Sequence, residues 1–535
     1  MAPPSCTWAL STLALAIYCG LSAAEPGVVS LKFSKREITN PEDYALKLRR
    51  RASTAQATIY NAEGNVLYLV NTTVGTPPQD LALQLDTGSS DIWIPSASSL
   101  ICTSASNRCS NGAYNSSASS TFEDVLRNKF SISYVDGTQI GGDYINETFG
   151  IAGVTIKQMT MGLADQAQEP NADDTTPFQG IVGVGFDAGE AIVAQTDGQY
   201  GYPNVISQMK LQGIISTRAY SLWLNDLESP EGNILFGGID NDKFEGDLTI
   251  LPLQSDSQTG AIDSFTVTFA GLNITGAGGK TVYTAQTTTP VILDSGTTLT
   301  YLPDDIANAI AQGVGAVNNY DYGVVVPCDL ASTAGQFLFQ FGNTDNGPII
   351  KAEISQFVLP FPSDIVSPKF RNGKTACRWG IQGSGQDPNL FGDTFLRSAY
   401  VVYNIDGNQV GIAQTTFNST SQDIKQITAV SSLPGASSTA SGSAQQTRTG
   451  PIYNTDGFGG VLGGASTAVA TAGTGTFDLG TASSTGSSGS STSSSSSTKG
   501  AASTVHPPST PFVGAIAAGV SVLFALVGGS MLILL

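Results

Sequence analysis

The chain has 535 residues, more than one hydrophobic core normally serves, so two lobes with appendages are expected. Its 24 basic and 43 acidic residues leave a formal charge of −19, which excludes the basic footprint of a nucleic-acid binder. The one histidine, His506, lies in a low-complexity tail, so Ser-His-Asp, Cys-His and most zinc chemistry lack an imidazole in the folded region; neither metal nor cofactor is expected, and paired carboxylates are the main hydrolytic option left.

Sixty glycines among many Thr, Ser, Val and Ile argue for a mainly β chain with frequent tight turns. Residues 1–24 read as a signal peptide, with an apolar stretch at 8–21 and small residues Ser22, Ala23 and Ala24 before the cut. Residues 25–51 form a basic pro-segment containing Lys32, Lys35, Arg36 and Lys47, and Arg49-Arg50-Arg51 reads as a processing site. Residues 52–248 are expected to be the first lobe. In it, 67–70 and 81–85 alternate as strands joined by Gly75-Thr76-Pro77-Pro78, and the second runs into Asp86-Thr87-Gly88-Ser89-Ser90 and then Asp91-Ile92-Trp93. A buried strand ending in a carboxylate is costly unless the charge is shared. Residues 132–142 alternate and turn at Asp136-Gly137, as a hairpin does. An acidic loop at 169–174 precedes Phe178-Gln179-Gly180-Ile181-Val182-Gly183.

Residues 249–425 are expected to be the second lobe. There 265–269 alternates as a strand, and 291–298 repeats the earlier grammar as Val-Ile-Leu-Asp294-Ser295-Gly296-Thr297-Thr298. Two strand-end carboxylates suggest a facing pair; about 3 Å apart, both cannot ionise. Residues 302–314 are the best helix candidate, with Pro303 early and Asp304 and Asp305 in the first turn. Leu390-Phe391-Gly392-Asp393 repeats the apolar-Gly segment, and 400–403 with 410–413 form a closing hairpin through Asp406-Gly407-Asn408.

Residues 426–510 turn to Ser, Thr, Gly and Ala, a composition that cannot build a core, and read as a disordered, O-glycosylated stalk. Residues 511–535 are apolar, uncharged and long enough to span a bilayer. Without basic flanking residues they read as a GPI-attachment signal, with Gly500 or Ala501 as the attachment site, rather than as a tail-anchored helix. The expected place is the cell surface, at the plasma membrane through a lipid anchor or in the wall. Sequons occur at Asn71, Asn115, Asn146, Asn273 and Asn418. Cys6 and Cys19 lie in the leader; the remaining four cysteines, an even number in a secreted chain, read as disulfides.

Together these motifs resemble the pepsin-like aspartic proteases over about residues 66–414, and within them the fungal, GPI-anchored yapsin-like branch. The resemblance implies a bilobal β fold with its cleft between the lobes and Asp86 and Asp294 as the catalytic pair. Thr87 and Ser295 would bond across to the opposite loop, Ser89 and Thr297 would each hold an outer carboxylate oxygen, and Gly88 and Gly296 would let the backbone come close. Residues 133–138 resemble the flap, with Tyr134 bonded to Trp93 and Asp136, Gly137 and Thr138 at its tip. The basic pro-segment would lie across the cleft and neutralise the pair through Lys32, Lys35 or Arg36. The disulfides would be local, Cys102 with Cys109 and Cys328 with Cys377. The implied activity is a monomeric, secreted endopeptidase cutting peptides and proteins at acid pH. Asp136 and the acidic loop would favour basic residues near the cut.

Overall fold

The alternation at 69–86 folds into an antiparallel hairpin of Leu69–Val74 with Gln79–Asp86, turning through Gly75 at φ +92°, which a side chain would strain. Leu81, Leu83 and Leu85 enter the main core, while Ala82 meets Leu69 on the other face. The computed structural model describes residues 28–34, 67–135, 137–169, 177–229, 231–257, 260–319, 322–343, 345, 347–361, 367–385, 387–441, 468–469 and 472–481. All of these fall in the unit Met1–Ser483; a second unit, Ser484–Leu535, lies outside them.

The chain is mainly β, as expected. A 14-stranded sheet runs from the late strands Ala436–Thr439, Phe244–Pro252, Gln409–Thr415 and Ala399–Asn404, through Ala219–Trp223 and Glu231–Phe236, to Leu69–Val74, Gln79–Asp86 and the first-lobe strands beyond. A seven-stranded sheet holds Thr281–Leu293 between Thr266–Thr275 and Asn389–Phe391. The two aspartates sit at equivalent places in these sheets. Gln79–Asp86 pairs in parallel with Ile181–Gly183, and Thr281–Leu293 pairs in parallel with Asn389–Phe391. A parallel pair needs a long crossover, so about a hundred residues separate each aspartate from the apolar-Gly segment beside it.

The second-lobe core is built on aromatic rings, with Phe391 5.1 Å from Phe269 and 4.8 Å from Phe395, at tilted and edge-on angles. The helix Asp304–Val314 follows Pro303, buries Ile306, Ala307 and Ile310, and ends at Gly315 in the left-handed region. The disulfides are Cys102–Cys109 and Cys328–Cys377. The closing hairpin is fixed to the first half of the chain by charge: Asp406 accepts from Arg218 at 2.7 Å and from Lys210 at 2.6 Å.

Two of the boundaries expected from the sequence fall inside strands, and one expected segment takes a place in a sheet. The break placed at 248/249 falls inside the strand Phe244–Pro252, which shifts register between Glu245 and Thr249 but keeps pairing with Gln409–Thr415. The fold does not stop at 425: Ile427, Leu433 and Ala440 are buried and Ala436–Thr439 adds a parallel strand, because a few spaced apolar residues suffice when the sheet edge to receive them already exists. Thirdly, Val29–Ser34 of the basic segment forms a sheet strand between Glu231–Phe236 and Leu69. Lys35, Arg36, the triple arginine, the signal peptide, Gly500, Ala501 and the apolar tail lie outside the described residues. Among the described residues no helix is long and apolar enough to cross a membrane.

Candidate active site

Asp86 ends its strand with its carbonyl accepting from Val184 N at 2.9 Å, and Asp294 starts its loop with its N–H donating to Phe391 O at 3.1 Å. Each aspartate is therefore gripped by the parallel partner of its own strand. The loops that follow make matching bonds. Asp86 Oδ1 accepts from Gly88 N at 2.8 Å and Oδ2 from Ser89 Oγ at 2.5 Å. Asp294 Oδ1 accepts from Gly296 N at 2.8 Å and Oδ2 from Thr297 Oγ1 at 2.6 Å. Each carboxylate is thereby fixed at both oxygens by its own loop.

The two loops also hold each other. Thr87 Oγ1 donates to Leu293 O at 3.0 Å and accepts from Ser295 N at 2.9 Å. Ser295 Oγ donates to Leu85 O at 3.1 Å and accepts from Thr87 N at 3.2 Å. Gln84 Nε2 adds a bond to Gly296 O at 3.1 Å. Thr87 and Ser295 are buried, so no water competes for these four reciprocal bonds. The carboxyls consequently meet. A Cβ placed on Gly296 would lie 2.2 Å from Asp86 Oδ1 and 3.1 Å from Asp294 Oδ1, and one on Gly88 would lie 2.6 Å from Asp294 Oδ1. Only glycine leaves room at either position.

Burial first, and then the neighbouring Asp294 charge and a hydrogen bond with it, push the Asp86 carboxyl well above the usual carboxylate range; the bonds from Ser89 and Gly88 pull the other way. A proton placed between two carboxyls this close belongs to the pair and not to either one.

The hairpin of Glu123–Ser133 with Gln139–Ile151 turns through Tyr134 N donating to Thr138 O at 2.9 Å, with Gly137 at φ +86°. Trp93 Nε1 donates to Tyr134 Oη at 2.7 Å, tying the hairpin to the strand that follows Asp86. Trp93 packs with Phe178, Phe130, Ile140 and Tyr144, so the base of the hairpin is apolar. Asp136 lies outside the described residues, as do residues 170–174 of the acidic loop; Glu169 is paired with Arg108 at 2.8 Å. The sequons sit elsewhere: Asn71, Asn146 and Asn273 in strands, Asn115 capping a short helical turn, Asn418 in a turn.

The family model described as eukaryotic aspartyl protease matches residues 67–415. The chain belongs to the eukaryotic aspartyl protease family. This aspartyl protease is 38% identical to a probable aspartic-type endopeptidase opsB of Aspergillus oryzae, over 77% of the chain and 81% of that protein. It is 37% identical to an acid protease of Saccharomycopsis fibuligera, over 69% of the chain and 86% of that protein. It is 32% identical to secreted aspartic protease 3 of Candida albicans, over 74% and 92%. Membership makes it a hydrolase of peptide bonds.

The protease holds a second buried acidic group, directly behind the first aspartate loop, that no motif announces. Asp91 accepts from Ala191 N at 2.8 Å and from Tyr202 Oη at 2.5 Å. Glu190 is fully buried; its Oε2 accepts from Tyr202 N at 2.9 Å and its Oε1 has no partner. Burial pushes Asp91 up to about 6 despite its two bonds. It pushes Glu190 up to about 9, with the nearby Asp91 and Asp187 charges adding. Asp91 was visible as the residue closing the Asp-Thr-Gly-Ser-Ser run, but neither Glu190 nor Tyr202 sits in any motif.

Proposed function

We propose that the protein is a secreted, surface-tethered aspartic endopeptidase in which Asp86 and Asp294 activate a water molecule between them. The observation that carries the reading is the matched cradle: two carboxyls, each bonded by a backbone N–H and a hydroxyl of its own loop, pressed together by the reciprocal Thr87 and Ser295 bonds. With one shared proton, the charged carboxylate takes a proton from water as the oxygen attacks the scissile carbonyl carbon. The protonated partner gives its proton to the carbonyl oxygen, forming a neutral gem-diol. Collapse then breaks the C–N bond as the protonated carboxyl gives its proton to the leaving nitrogen and the other carboxylate takes the proton of one gem-diol hydroxyl, so the pair ends with one proton again. Ser89, Thr297 and the two glycine amides keep the carboxyls oriented, and Tyr134 on the hairpin closes over the substrate.

The leader at 1–24 supports secretion. The small residues near Gly500 and Ala501 ahead of the uncharged stretch 511–535 support a lipid anchor at the membrane, in the manner of the yapsin-like branch. Residues 25–51 act as the pro-segment. Val29–Ser34 supports this by occupying a strand position that the mature chain would otherwise leave as an open edge of Glu231–Phe236. A preference for basic residues near the cut is supported by the sequence alone: Glu169 is paired with Arg108, and Asp136, Asp173 and Asp174 are the acids that would draw a cationic side chain.

The test is digestion of a peptide library and of an acid-denatured protein by purified enzyme, with and without a statine-type inhibitor. Internal cuts that the inhibitor abolishes, with Lys or Arg enriched near the cut, are expected. Cuts that the inhibitor leaves intact would overturn the mechanism; a purely apolar cut-site profile would overturn the basic preference alone.

A further inference from the structure

One piece of the Ser/Thr-rich region is built into the second lobe. Ala472 joins the small cluster of Val325, Phe361, Phe370 and Ala376. The Phe477 ring lies on Gly313, where a Cβ would meet it at 2.0 Å, and its centroid is 5.7 Å from that of Tyr283. Leu479 is 6% exposed and enters the main core beside Gly335 and Ile354. The backbone is paired as well. Phe477 N–H donates to Gly313 O at 3.0 Å, Ala334 N–H donates to Gly480 O at 3.3 Å, and Thr481 forms an antiparallel bridge with Thr333. Just upstream, Ala468–Val469 runs parallel to Lys369–Phe370.

We propose that residues 472–481 are a clasp, a segment of the chain's own tail held in a dedicated groove. The groove is formed by the end of the helix Asp304–Val314, the hairpin of Thr266–Thr275 with Thr281–Leu293, and the turn at 333–335. The receiving side is shaped for this occupant. Gly313 is a poor helix former placed in the last turn of its helix, and the Phe477 ring fills the space that its missing side chain leaves. The occupant is shaped too, since Phe477 and Leu479 are the large apolar residues of an otherwise Thr/Gly stretch, two apart, on either side of Asp478. Two consequences follow. The described fold reaches Thr481 and does not end at 425, which shortens the tether expected from the sequence by more than fifty residues. A backbone cut anywhere in 442–467 leaves the downstream chain attached to the lobes without a covalent bond.

To test this, the recognition sequence of a protease of unrelated specificity is inserted near residue 455 of the full-length chain. The chain is cut and then passed through a sizing column under native conditions. The C-terminal piece is expected to elute with the lobes, and a Phe477→Asp, Leu479→Asp double variant to retain at least about tenfold less of it. Separation in the unsubstituted chain, or equal retention in the double variant, overturns the proposal. Hydrogen exchange on the uncut, unsubstituted chain decides the matter if the double variant folds poorly. The Phe477 and Ala334 amides should exchange at least about tenfold more slowly than in an unstructured peptide, and full-speed exchange at Phe477 overturns the clasp.

Discussion

Asp86→Asn and Asp294→Asn, made singly, should each lower kcat/KM by about a thousandfold or more at every pH while leaving the fold intact. An amide has the shape of a carboxyl and can still accept from Gly88 N or Gly296 N. The facing hydroxyl of Ser89 or Thr297 needs only to rotate and accept instead of donate. Removing one of two crowded buried acids also relieves their mutual repulsion, so the melting temperature of either variant should equal or exceed that of the parent. What the amide cannot do is exchange a proton with water. Thermal melts beside progress curves on one peptide check both halves. A variant that melts normally yet keeps a tenth of its activity would remove that aspartate from the chemistry.

The second large effect concerns stability at neutral pH. Glu190 is held up to about 9 and Asp91 up to about 6, both by burial first, while in the unfolded chain both titrate near their ordinary values of about 4. Between those limits the folded protein keeps protons that the unfolded chain has released. Stability from these groups is therefore complete in acid and is lost as pH rises, through about 6 for Asp91 and on to about 9 for Glu190. Glu147 shows why this is specific to place. Burial would raise it too, but it accepts from Tyr114 at 2.5 Å, Ser119 at 2.7 Å and Thr148 N at 2.6 Å, and from Thr121, and these donors hold it below the ordinary range. Glu190 has one donor, to one oxygen. Glu190→Gln is neutral at every pH, so its unfolding free energy should fall less steeply between pH 5 and 8, by about 1 kcal/mol per pH unit. Denaturant titrations of parent and variant across that range check it; parallel curves would show that Glu190 stays ionised in the fold.

The candidate site was legible because its chemistry forces residues where folding alone would not put them. Leucine-rich strands that stop at Asp-Thr-Gly and Asp-Ser-Gly are uneconomical as plain structure, and their repetition announced a pair. Lobe boundaries were less legible, because Phe244–Pro252 and Ala399–Asn404 take their partners from across the chain, which local pattern does not encode. Glu190 was illegible because its significance comes from what it lacks, a second donor, and this is a property of packing. Phe477 and Leu479 were hidden by composition: averaged over a Ser/Thr-rich region two apolar residues vanish, yet the lobe holds a groove cut to them. In the basic segment, charge drew attention to Lys32, Lys35 and Arg36, while the backbone around Lys32 does something charge does not reveal by joining the sheet.

The pH dependence of kcat/KM for a single peptide substrate without ionisable side chains decides whether Asp86 and Asp294 work as one acid-base pair. If two carboxyls share one proton in the working enzyme, the profile is bell-shaped with its maximum in acid. One limb is lost when the pair gains a second proton and the other when it loses its last. A profile with a single limb, or a plateau extending through neutral pH where the protein is still folded, would mean that one acid acts alone or that the nucleophile is activated by another group.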